Sequence, residues 1–268
     1  MATPAYAAAM QSLTRRLSRY LFAFFAGSLL IGCVAPPEAT QKIKQASLVK
    51  ASQNGMDVRK LQGFVNDRSA VILSGVDIEA VERVSAEMVA VRLDADDGER
   101  VEVSFGLCAA VTADGYYVTA AHTVQENHRD GDRIWLVRNV DSQPFVRARV
   151  VWSDANADLA IVKGGIHTEF FRQASQLPAV GNSVFCHGKD AWPSAGEVKR
   201  ILFDSRRKTY TIEHDGPLKR GDSGGAAVNK SGQLIGVNTE ITWGGSTAVV
   251  APPLLVQKII ADDRKRSR

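Results

Sequence analysis

The chain has 268 residues, 45% of them apolar and 23% charged, with a formal net charge of +4. That length is enough for one large core or two small ones. The charge excess gives no case for nucleic-acid binding: Arg15, Arg16 and Arg19 stand in a leader-like N-terminus without acids, and beyond residue 32 the net charge falls to +1. Tyr20–Ile31 follows these arginines as an apolar run, long enough for a secretory h-region and too short for a bilayer span of roughly 20 residues. Counted from Met10 rather than Met1, the basic region in front of it has ordinary proportions.

The run ends in Leu30-Ile31-Gly32-Cys33, which resembles the lipobox of bacterial lipoproteins. There the cysteine thiol is acylated and becomes the first residue after cleavage. Residues 1–32 therefore read as a lipoprotein-type signal peptide, with Cys33 as the lipidation site.

Residues 33–85 begin as a polar stretch with Pro36 and Pro37, suited to a tether, with a short helix possible around Thr40–Ser52. From Met88 onward the period becomes that of strands. A first hairpin turns at Asp94–Gly98; its acids do not follow the EF-hand spacing. Short apolar runs separated by polar turns then fill the chain to Val250: "LCAAV", "YYVTAA", "RIWLV", "VRARVVW" and "LAIVK", then "NSVFCHG", "VKRILF", "KTYTIEH", "GAAV", "QLIGVNT" and "AVVA". This spacing predicts an all-β antiparallel barrel or sandwich architecture. A loop at Thr168–Pro178 splits the strands into two groups, 86–167 and 178–251, within a domain spanning 86–262. Only "PLLVQKIIADDRK" has helical spacing, with Pro252 and Pro253 as starters. Cys108 and Cys186 each lie in an apolar stretch and read as small buried hydrophobes.

The segment "KRGDSGGAAV" puts Ser223 among glycines. Such a turn alone is common. A nucleophilic serine needs a histidine base and a carboxylate to orient it. Among five histidines, His122 stands out, because an apolar strand and the small residues Thr119-Ala120-Ala121 lead up to it. Asp158 directly precedes the apolar strand Leu159–Val162, where its carboxylate can accept a bond from the histidine Nδ1–H; Asp154 is the competing acid.

"TAAH", "DLA" and "GDSGG", in that order, resemble the His, Asp and Ser motifs of the trypsin/chymotrypsin-like serine peptidases. The wording of "ADGYYVTAAHTV" and "GGAAVNKSGQLIGVNT" is most similar to the bacterial HtrA-type and glutamyl-endopeptidase-type enzymes. The resemblance runs from Val101 to Ile260. It implies two six-stranded β-barrels with His122, Asp158 and Ser223 as catalytic residues between them. It also implies an oxyanion hole made by the backbone N–H groups of Gly221 and Ser223. There are departures. No zymogen-activation sequence precedes the barrels, so Asp222 needs another partner, with Lys219 and Arg220 nearest. No room remains for the PDZ domain of HtrA-type enzymes. Trypsin-type members have an aspartate where this chain has Pro217, which argues against Lys or Arg specificity. The candidate pocket residues are Pro217, Leu218, Lys219, Asn238 and Thr239, with Glu240 beside them; Lys219 or His214 would favour an acidic side chain and Leu218 a small aliphatic one.

The expected protein is therefore a serine endopeptidase acting on polypeptides, exported to a bacterial cell envelope and held at the periplasmic side of a membrane by lipid at Cys33. No metal, cofactor or nucleic acid is implied, and the sequence leaves the oligomeric state open. The alternatives are a catalytically silent trypsin-like binding or sensor module, or a structural envelope protein.

Overall fold

Apolar residues recurring at every second position, or in short unbroken runs, form strands along most of the chain. The computed structural model describes residues 58–74, 92–94, 100–102, 104–124, 134–138, 146–165, 167–188, 194–242 and 245–267. The leader, Cys33 and the Thr40–Ser52 segment lie outside these. In chain order the elements are helix α1 (Val58–Asn66) and strands β1 (Ser69–Ser74), β2 (Arg92–Asp94), β3 (Arg100–Glu102), β4 (Ser104–Ala110), β5 (Tyr116–Thr119), β6 (Ile134–Arg138), β7 (Val146–Asp154) and β8 (Leu159–Gly164). There follow β9 (Ser183–Cys186), β10 (Ser194–Asp204), β11 (Thr209–His214), β12 (Ala226–Val228), β13 (Leu234–Thr242), β14 (Gly245–Val249) and helix α2 (Pro253–Arg266).

Two closed six-stranded antiparallel barrels result. Barrel one runs β1-β4-β5-β8-β7-β6 around its ring, and barrel two runs β10-β11-β14-β13-β12-β9. β2 and β3 pair as a separate hairpin, Leu93 opposite Val101. The interior of barrel one is filled by residues such as Ile72, Tyr117, Ile134, Leu136 and Val162. That of barrel two is filled by Val184, Cys186, Val198, Ile212 and Ala248. A third apolar cluster, with Tyr116, Phe171, Phe185 and Val228, joins the two. Each such large side chain contributes about 1.5–3 kcal/mol on burial.

Barrel one begins earlier than residue 86, the boundary expected from sequence. β1 pairs with β4 on one side and β6 on the other, and all six of its residues are buried. Being covered on both faces, "SAVILS" has no polar/apolar alternation, and it is embedded in a polar segment. Helix α1 packs ahead of it: Leu61 and Val65 enter the shared cluster, and the Phe64 ring meets Phe171 edge-on at 5.8 Å. Its Cζ and Cε1 leave no room for a Cβ at Gly232, which has φ +73°.

The C-terminal helix starts at Pro253, where the missing N–H costs nothing. Val256 and Ile260, four residues apart on one face, are buried.

Candidate active site

β5 delivers His122. Its ladder with β8 ends at Thr119 opposite Ala160, and the chain then leaves the sheet as a single 3-10 turn, Ala121–Thr123. Ala120 and Ala121 are fully buried, so only small residues fit there, while the His122 side chain remains 47% exposed. The acid comes from the turn between β7 and β8. Asp154 spends its Oδ1 accepting the N–H groups of Asn156 and Ala157, at 2.8 and 3.1 Å, which closes the turn. Asp158 follows with φ +51°, a left-handed conformation that aspartate tolerates better than most residues. Its Oδ1 accepts the His122 backbone N–H at 3.0 Å, and Oδ1 and Oδ2 lie 3.0 and 2.9 Å from His122 Nδ1. An ionised carboxylate only accepts, so Nδ1 carries the proton and Nε2 offers a lone pair.

Barrel two delivers Ser223 on a turn that needs its glycines. Gly221 and Gly224 have φ +92° and +86°. A Cβ on Gly224 would lie 1.9 Å from the Leu107 carbonyl oxygen and 2.2 Å from Thr119 Oγ1. The Leu107 N–H donates to the Ser223 carbonyl at 2.8 Å, so β4 of barrel one holds the serine turn directly. Within the turn the N–H groups of Asp222, Gly224 and Gly225 donate to Lys219, Asn238 and Asp222 carbonyls at 3.0, 2.8 and 3.1 Å. Among the described residues, the N–H groups of Gly221 and Ser223 donate to no protein acceptor. Two alternate amides are thus left free to receive a ligand oxygen. Ser223 Oγ donates to the Thr239 carbonyl at 3.4 Å.

Asp222 meets Lys219, one of the two neighbours named from sequence, through the main chain: its Oδ2 accepts the backbone N–H of Lys219 at 2.7 Å. The other expected residues separate. Pro217 is exposed, and Leu218 packs against the core of barrel two. Asn238 is fully buried, and its amide donates to the His187 carbonyl at 3.3 Å. Thr239 is buried with its Oγ1 3.2 Å from Thr247 Oγ1. Glu240 is exposed and pairs with Arg207 at 2.8 Å. His214 is 1% exposed, with Nε2 3.7 Å from Cys186 Sγ, and so cannot meet a substrate side chain as sequence had allowed. Burial pushes His187 and His214 down to about 4, Asp215 opposing the shift at His214. Burial pushes the Cys186 and Cys108 thiols up, and both cysteines are free.

The sequence profile described as "Trypsin-like peptidase domain" matches residues 106–237. Over 217 residues the chain is 29% identical to a "Probable periplasmic serine endoprotease DegP-like" of Pseudomonas fluorescens, covering 76% of this chain and 44% of that one. Residues 106–237 thus match a trypsin-like peptidase domain, and the curated relatives similar to the chain are DegP-like serine endoproteases. A namesake from Rhizobium meliloti is 29% identical over 167 residues, 57% of this chain and 31% of the relative. The chain thus spans less than half the length of these curated relatives. The trypsin-like domain is similar in fold to the serine endoprotease from Yersinia pestis, with a TM-score of 0.55 at 18% identity, covering 80% of this chain and 68% of the other. It is likewise similar to the HtrA-type protease AlgW with decapeptide, with a TM-score of 0.56 at 17% identity, covering 77% and 68%.

Sequence reasoning passed over Gly106, Leu107, Thr119 and Thr123, which connect the two halves of this site. Thr119 stood inside the quoted "TAAH", but nothing in a strand-ending threonine signals a contact with another barrel.

Proposed function

We propose that this chain is a serine endopeptidase that hydrolyses peptide bonds with His122, Asp158 and Ser223. The observation that carries the reading is the Asp158 carboxylate gripping both the Nδ1 and the backbone N–H of His122. That grip fixes the tautomer in which Nε2 is the base. The Ser223 hydroxyl turns from the Thr239 carbonyl toward Nε2, gives up its proton and attacks the scissile carbonyl carbon. Charge moves to the carbonyl oxygen, which the Gly221 and Ser223 N–H groups receive; one such donor is worth about 2.7–4 kcal/mol. The C–N bond then breaks as His122 returns the proton to the leaving amine. Water, deprotonated by His122, releases the acyl group by the same steps in reverse.

The proposal extends to location. The basic leader, the short apolar run and Leu30–Cys33 support export and lipid anchoring at the periplasmic side of a bacterial envelope, with a polypeptide as the partner in the cleft. The domain itself spans barrel one, barrel two and α2.

A fluorophosphonate probe tests the chemistry. We expect covalent labelling of the full chain that vanishes in Ser223→Ala; absence of Ser223-dependent labelling overturns the enzyme reading. The contact between Ser223 Oγ and the Thr239 carbonyl gives a second reading its footing, a silent binding module whose serine stays turned away. Labelling separates the two. For the anchor, Cys33→Ser should leave the membrane fraction; unchanged processing and membrane retention would sink the lipoprotein reading.

A further inference from the structure

β5 parts from β4 before it parts from β8. Its last partners in β4 are Ala109 opposite Val118 and Ala110 opposite Tyr117, so the backbone ladder stops short of Leu107. A side chain takes over there: Thr119 Oγ1 donates to the Leu107 carbonyl at 2.7 Å. The Thr123 hydroxyl, one residue past His122, donates to the Ala120 carbonyl at 2.7 Å and lies 3.1 Å from Thr119 Oγ1. The Thr123 carbonyl in turn accepts Ser74 Oγ at 2.7 Å. The turn bearing His122 is therefore bracketed by two buried hydroxyls, and one of them holds Leu107.

Leu107 faces both ways. Its carbonyl is held by Thr119, and its N–H holds the Ser223 carbonyl at 2.8 Å. Two glycines make this closeness possible. A Cβ on Gly106 would lie 2.8 Å from the Ser223 carbonyl oxygen and 2.6 Å from Thr123 Cγ2; one on Gly224 would overlap Leu107 and Thr119. A path of three hydrogen bonds, Thr123 to Thr119, Thr119 to Leu107 and Leu107 to Ser223, runs from the histidine turn to the serine turn. Valine would fill the space of Thr119 but leave the Leu107 carbonyl without this donor.

We propose that Thr119 is a positioning residue: through Leu107, its hydroxyl sets the spacing of the His122 turn and the Ser223 turn. Thr119 touches neither substrate nor reacting atoms. The inference rests on the triad reading above and adds a residue to it. Misplacement of reacting groups by about 1 Å costs on the order of 100-fold in rate, so a lost tie of this kind is visible in turnover rather than in binding.

The test compares the full chain with Thr119→Val and Thr119→Ser, using a peptide substrate and fluorophosphonate titration to count working sites. Thr119→Val should lower kcat per titrated site roughly 10- to 100-fold and leave KM within about twofold. Thr119→Ser, which keeps the donor, should recover most of the rate. Hydrogen exchange at the Leu107 amide should speed up in the valine variant and not in the serine one. If the valine variant fails to fold, Thr119→Ala is read in the same way. Unchanged turnover per titrated site overturns the proposal, as does an equal loss in the valine and serine variants, which would mean packing alone. If the wild-type chain does not label at all, the triad reading falls separately, and unchanged exchange at Leu107 then overturns the coupling itself.

Discussion

Asp263, on the helix that follows barrel two, accepts both terminal nitrogens of Arg149 on barrel one, at 2.9 and 2.6 Å, and the Tyr116 hydroxyl at 2.8 Å. Its neighbour Arg264 grips Asp114 at 2.7 Å, on the turn that precedes Tyr116. Tyr116 opens β5, and His122 sits on the turn that follows that strand. The helix is thus bolted to the strand that leads to His122.

Asp263 is 6% exposed, and Arg149, about half exposed, can rehydrate if the acid is lost. Asp263→Ala should therefore destabilise by about 2–3 kcal/mol, toward the lower end for breaking a buried pair, read from urea unfolding. The Arg149 bonds hold the Asp263 carboxyl below the usual carboxylate range. Its contribution is complete above the unfolded value of about 3.9 and is lost as pH falls through the lower folded value.

His187 and His214 make a second, separate acid response. Both are buried and neutral, with folded values of about 4 against 6.5 for a free imidazole. Below pH 6.5 the unfolded chain binds protons that the folded chain refuses, so stability should fall from pH 6.5 to about 4 and level off beneath it. Each histidine accounts for on the order of 2–3 kcal/mol across that window. Unfolding free energies measured from pH 7.5 to 4 check the slope, and His214→Gln should flatten it. An unchanged slope in that variant would remove His214 from the account.

Asp158→Asn isolates the role of the acid. Asparagine has the same shape and tolerates the φ of +51°, so the turn should survive. With its oxygen kept on the His122 backbone N–H, the asparagine NH2 donates to Nδ1 and favours the wrong imidazole tautomer, so kcat should drop by about 10⁴ with little loss of thermal stability. Asp158→Ala should lose stability as well, because alanine is strained at that φ.

Two glycines predict opposite signs. Gly224→Ala forces a Cβ to within 1.9 Å of a backbone oxygen at φ +86°, and should cost more than about 3 kcal/mol or prevent folding. Gly63, in helix α1, has nothing within 4 Å of an added Cβ. Gly63→Ala should stabilise by about 0.5–1 kcal/mol. Thermal melts of the two variants suffice.

Short apolar runs bounded by turn residues made most strands of both barrels legible, even though β5, β8, β9, β12 and β14 are buried almost throughout rather than on one face. Order and wording of the motifs brought forward His122, Asp158 and Ser223, and the structure brings His122 and Asp158 into contact. What stayed hidden was of two kinds. β1 carries no alternation, since neighbours cover it on both faces, and it begins a barrel from within a polar stretch. The partner of Asp222 is a backbone N–H three residues away, and every residue except proline has one of those. Contacts made by main-chain groups leave no mark in side-chain identity.

The place of β1 in its ring limits how the chain can be shortened. A fragment starting at Gly106, where the profile match begins, would lack the strand seated between β4 and β6. Both of those strands would then present bare hydrogen-bonding edges, which join to edges of other copies. The Ser74 hydroxyl that braces Thr123 would also be gone. Such a fragment contains every residue of the proposed triad, yet polymerisation is its expected fate.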